Sequence, residues 1–137
     1  MSQSTLQAID AIELLKARYC RLLDTKDWDD LKSVLAIDVV VDTTALGGDL
    51  VVGASNCEAM LERKYDKAVT VHHGHMPEIA LTSPSSAKAI WAMQILTVQS
   101  NGKRVLAFGH DHDTYALRGG RWLITTIKST RLLMDES

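Results

Sequence analysis

Between Thr5 and Leu23 the apolar residues Leu6, Ile9, Ile12, Leu15, Tyr19 and Leu22 recur at steps of three and four, while Gln7, Asp10, Glu13 and Arg21 mostly fall off that stripe. The spacing predicts a long amphipathic helix capped by Ser4. From Asp27 to Leu35 a second, short helix is expected: Asp27 caps it, Asp29 and Asp30 complement its dipole, and Trp28, Leu31 and Leu35 form the apolar face. Asp24 to Lys26 is the corner between the two. Val39 to Thr44 is β-branched and runs into Gly47-Gly48, which predicts a strand turning into a short partner at Leu50 to Val52. Ser55 opens a third helix reaching about Lys67, with Glu58 completing a capping box. Beyond it the apolar period shortens to that of strands. Thr70 to Thr82 is the first, and Pro77 within it demands an edge position or a bulge because it has no N–H for a ladder. Lys88 to Gln99 follows, closed by Ser100-Asn101-Gly102, then Arg104 to Leu117, Gly119-Gly120 and a last strand from Trp122 to Leu133. Three helices before a meander of long antiparallel strands is an α+β pattern in which helices cover one face of a curved sheet. A cavity is expected where the curl is greatest.

Composition narrows the class. The 137 residues read as one domain over 1–137, large enough to bury about two thirds of the surface its unfolded chain exposes. Cys20 and Cys57 lie far apart and outside any metal-ligand spacing, so both read as small buried hydrophobes of a reducing compartment. No basic region leads into an apolar run at the N-terminus and no stretch has the length of a membrane span, so a soluble cytoplasmic protein is expected. The net charge is −2 with scattered basic residues, which excludes a nucleic-acid footprint and a polybasic membrane patch.

Three groups of residues can carry chemistry. The stretch Val69 to Met76 holds three histidines, and strand alternation puts His72 on one face with His73 and His75 on the other. An inward imidazole with a carboxylate partner can take and return a proton at cellular pH. Tyr19 lies on the apolar stripe, and Asp24 follows five residues later, near the same face at the helix end. A carboxylate there is exposed to solvent, capping the helix, or paired, and if paired its candidate partner is His72. The run Gly-His-Asp-His-Asp from Gly109 to Asp113 admits a rival reading, in which His110 and His112 ligate a metal with His73 or His75. Trp91 and Met93 share a face with Ile95, as Trp122 and Ile124 do with Thr126. Trp91 and Met93 are candidate pocket lining.

Arg18-Tyr19, Leu23-Asp24 with Asp27-Trp28, the Val71-His72 strand and the closing Gly-Arg-Trp-Leu-Ile strand together resemble the SnoaL-like branch of the nuclear transport factor 2-like superfamily. The resemblance covers essentially the whole chain. It implies a cystatin-like α+β barrel, in which a cone-shaped curved antiparallel sheet is wrapped by three N-terminal helices. Members include polyketide cyclases, bile acid and scytalone dehydratases and hexachlorocyclohexane dehydrochlorinase, which usually work without metal or cofactor. Tyr19, Asp24 and His72 are similar in type and order to the catalytic tyrosine, aspartate and strand histidine of the bile acid dehydratase, whereas the dehydrochlorinase has a lysine where Tyr19 stands. Those enzymes add an arginine on the last strand, for which Arg131 is the available counterpart, although Ile127 occupies the nearer position. The bile acid enzyme's further strand aspartate is replaced by an apolar position near Met93 or Ile95, and Asp111 on the neighbouring strand is the residue that could compensate. The implied function is a cofactor-independent lyase or isomerase acting on a hydrophobic cyclic small molecule. A homodimer or higher homo-oligomer through the sheet face is implied too. The alternative on the same scaffold is a non-catalytic small-molecule-binding or subunit-assembly domain.

Overall fold

The computed structural model describes residues 4–137. Its elements are α1 (Thr5–Asp24), α2 (Trp28–Val34), β1 (Leu35–Asp42), β2 (Leu50–Val52), α3 (Ala54–Tyr65), β3 (Val69–Ser83), β4 (Ser86–Val98), β5 (Arg104–Arg118) and β6 (Arg121–Glu136). α1 begins with a reciprocal cap: the Ser4 hydroxyl accepts from the Gln7 N–H at 3.1 Å and Gln7 Oε1 accepts from the Ser4 N–H at 3.0 Å. It ends in a Schellman turn, where the Lys26 N–H reaches Leu23 O and the Asp27 N–H reaches Leu22 O, with Lys26 held at φ 61°. Asp27 then caps α2 by accepting from the Asp30 N–H. α3 departs from expectation. It starts one residue early, behind Gly53 at φ 99° with no side-chain cap, so Ser55 lies inside the first turn and the expected box with Glu58 does not form. β1 likewise begins at Leu35, taking the last residue expected of the second helix.

The strands form one open, curved sheet in the order β2-β1-β6-β5-β4-β3. β3 to β6 pair antiparallel as the meander requires, whereas β1 lies parallel to β6, so the sheet is mixed. All three helices pack on one face, where Ile12, Leu22, Leu23 and Leu31 close against Val39, Tyr115 and Ile124.

Bulges bend the long strands and change which side chains face inward. Met76 and Pro77 together oppose Trp91, because His75 pairs with Ala92 and Glu78 with Ile90. Met76 sits there at φ 40°. Thr125 is an extra residue between the pairs Tyr115–Ile124 and Thr114–Thr126. Leu132 is another, between Gly109–Arg131 and Phe108–Leu133. On β6 the inward positions consequently run Trp122, Ile124, then Ile127, Ser129, Arg131, then Met134. The simple alternation that grouped Thr126 with Trp122 and Ile124 fails at Thr125, and the buried residue is Ile127. Pro77 is both at a sheet edge and in a bulge, which leaves its missing N–H without consequence.

Candidate active site

β3 is an edge strand, so the backbone N–H of His72 points away from β4 and needs an acceptor from outside the sheet. The corner after α1 supplies it. Asp24 Oδ2 accepts the His72 N–H at 2.8 Å, and Asp24 Oδ1 lies 2.7 Å from His72 Nδ1 and accepts from Thr70 Oγ1 at 3.0 Å. One carboxylate thus fixes both the backbone and the ring of the histidine. With Nδ1 turned to a carboxylate, a neutral ring would carry its proton on Nδ1 and its basic lone pair on Nε2, which has no hydrogen-bond partner among the described residues. The Tyr65 ring meets the imidazole edge-on at 5.5 Å between centroids. Partial burial pushes the Asp24 carboxyl up, but the hydrogen bonds from the His72 ring and N–H, the histidine's charge and the Thr70 hydroxyl outweigh it and hold the group below the usual carboxylate range.

Tyr19, one turn before the corner, lines the same cavity as His72 and is 5% exposed. Burial raises its phenol well above the ordinary value, against the opposing charge of Lys16, so it keeps its proton and can donate. Behind it lies an ionic cluster. Lys16 Nζ is 2.9 Å from Asp111 Oδ2, 2.8 Å from Asp113 Oδ2 and 5.1 Å from the centre of the Tyr19 ring. Ser129 Oγ donates to Asp111 Oδ1 at 2.9 Å, Tyr115 OH to Asp113 Oδ2 at 2.6 Å, and Trp91 Nε1 to Tyr115 OH at 3.0 Å. Burial alone would lower the lysine. The two carboxylates prevail and raise it well above its ordinary value. Burial raises Asp113 in turn, and its Oδ1 has no hydrogen-bond partner among the described residues.

The cavity measures about 710 Å³. His72, Ile95, Ala107 and Met134 form one row across the sheet at its wall. Asp111, Ser129, Arg131 and Met93 also line it. Trp91 does not: it lies two residues from Met93 on the same face, but is enclosed in the core with its indole N–H on Tyr115. The remaining histidines pair separately, His73 with His75 and His110 with His112, and among the described residues no three His, Cys, Asp or Glu side chains converge on a metal-sized site. Lys16, Thr70 and Tyr65 escaped the sequence reading. Lys16 had a signal, since it stands four residues after Ile12 and three before Tyr19 on the buried stripe.

Residues 4–128 match the model of the SnoaL-like domain family. A probable cyclase of Gibberella zeae is 25% identical over 138 residues, which cover 92% of each chain. The solved structure of a candidate scytalone dehydratase from Novosphingobium aromaticivorans superposes with a TM-score of 0.88 at 19% identity, over 96% of this chain and 89% of that one. A type 2 hexachlorocyclohexane dehydrochlorinase (LinA) gives 0.87 at 16%, over 96% and 90%. At these identities the two structures share the fold. Among the described residues no helix is long and apolar enough to cross a membrane.

Proposed function

The chain belongs to the SnoaL-like domain family, and from that premise we propose that it is a cofactor-independent lyase or isomerase acting on a hydrophobic cyclic small molecule. The observation that carries this reading is the Asp24–His72 pair at 2.7 Å, opening on a cavity that Tyr19 also lines. His72 Nε2 removes a proton from carbon beside a carbonyl or a leaving group. Asp24 holds the Nδ1–H and stabilises the imidazolium that forms, while the Tyr19 hydroxyl donates to the departing or developing oxygen. Asp111 and Arg131 contact the substrate from the walls. Removal of a carbon-bound proton is the step that elimination and carbanion-driven ring closure have in common, which fits relatives named as a cyclase, a dehydratase and a dehydrochlorinase.

The test is a panel of cyclic ketones carrying a hydroxyl β to the carbonyl, followed by loss of water and by hydrogen–deuterium exchange at the α carbon. For the substrate that turns over, His72→Gln is expected to slow both by at least about a hundredfold. Near-wild-type turnover by that variant ends the proposal. Binding of panel members by the wild type with neither exchange nor elimination would mark a non-catalytic binding module instead.

A further inference from the structure

The two ends of the cavity differ in charge. His72, Tyr19 and Asp111, all buried, mark the inner end, and Met93, Ile95 and Ala107 give apolar walls. At the exposed end stand four cations, Arg63, Lys64, Lys67 and Arg131, against two acids, Glu62 and Asp66. One of those acids is engaged, since Asp66 Oδ1 accepts from Trp28 Nε1 at 3.1 Å. Among the described residues Arg63, Lys67 and Arg131 have no ion-pair partner. A cationic rim on a chain of net charge −2 is a local concentration rather than a reflection of composition. Complementing the C-terminal dipole of α3 accounts for Arg63 and Lys64. It does not account for Arg131, which reaches the same cavity from β6.

We infer that the site takes amphipathic anions: an apolar ring body enters towards His72 while an acidic group, carboxylate, sulfate or phosphate, stays at the mouth on Arg131 and Lys67. The inference rests on the proposed use of this cavity as a substrate site but not on catalysis. Partly exposed ion pairs of this kind contribute modestly each, so two or more acting together give a preference of about tenfold that salt weakens.

The test uses two fluorescent probes of the same ring skeleton, anilinonaphthalene sulfonate and the uncharged phenylnaphthylamine, titrated against the full chain. The anionic probe is expected to bind about tenfold more tightly. In the Lys67→Gln/Arg131→Gln double variant, and in high salt, the two affinities should come within about twofold while the neutral probe is unchanged. Ala107→Phe, or Ile95→Phe if the first variant loses its circular dichroism signature, should abolish binding of both probes by filling the cavity. Equal affinities in the wild type, a preference that survives the double variant, or binding that survives cavity filling would each overturn the inference. His72→Gln should leave the charge preference intact, so failure of the catalytic reading and failure of this one are read out separately.

Discussion

Asp24 has two partners in one residue, and its protonation therefore matters to stability as well as to chemistry. Its carboxyl is held below the ordinary value of 3.8. The stability it contributes is thus present above that value and is lost as pH falls through the lower folded value. Urea midpoints measured from neutral pH downward should decline in this window for the wild type, and Asp24→Asn should remove that part of the slope while reducing turnover by at least about a hundredfold. Lys16 has the opposite sign. Its raised value means that its contribution is complete below 10.5 and is lost as pH climbs through the higher folded value. Lys16→Met leaves two buried carboxylates facing each other and is expected to cost about 3–5 kcal/mol. Adding Asp113→Asn should recover part of that loss, a coupling that a thermodynamic cycle from chemical denaturation detects. Asp24, in a corner, was singled out by the resemblance to a known family, whereas the inward directions of Tyr19 and His72 were legible in the sequence from simple periodicity. The lysine was not, because its two carboxylates lie on a strand 95 residues or more away, and no local pattern says that an ammonium will be enclosed rather than snorkel.

Helices and strands were legible to within a few residues, and the differences have local causes. Gly53 at positive φ moved the start of α3 and dissolved an expected cap. Bulges at Thr125 and Leu132 broke the alternation on β6, so Arg131 and Met134 both face the cavity although they differ in parity. The second of these bulges presses the β6 backbone at Thr130 and Arg131 against Gly109, where a Cβ would collide with main-chain atoms that cannot rotate away. Gly109→Ala should therefore destabilise the protein by about 1–3 kcal/mol, the range of overpacked sites, as read by the thermal or urea midpoint. The corner after α1 predicts the reverse. Lys26 occupies a left-handed position that glycine fills without steric cost, and among the described residues its only side-chain bond is a long 3.5 Å contact to Thr70 Oγ1. Lys26→Gly is expected to leave stability equal or raise it by about 0.5 kcal/mol, after the added freedom of the unfolded chain is deducted.

For the complete fold, the meander of four long strands followed from the turn residues, whereas the parallel seam between β1 and β6 did not. That seam joins segments far apart in the chain and leaves no signature in either, and the resemblance to a known family, which implied an antiparallel sheet, did not supply it. On the sheet face away from the helices, Val71, Leu96 and Leu106 surround a depression of about 410 Å³ together with His73, Gln94 and Arg104. Self-association through this face is expected. Sedimentation should show a dimer or larger species that Leu96→Glu converts to monomer, and a monomeric wild type would refute it. An open sheet also has two borders that could recruit foreign strands. One is β2, too short at three residues to hold a guest. The other is β3, whose outward main chain is occupied by Asp24 at His72 and broken by the Met76–Pro77 kink. The carboxylate that equips the imidazole therefore also guards against fibre growth, and a variant lacking it should seed aggregates sooner than its loss of stability alone would predict.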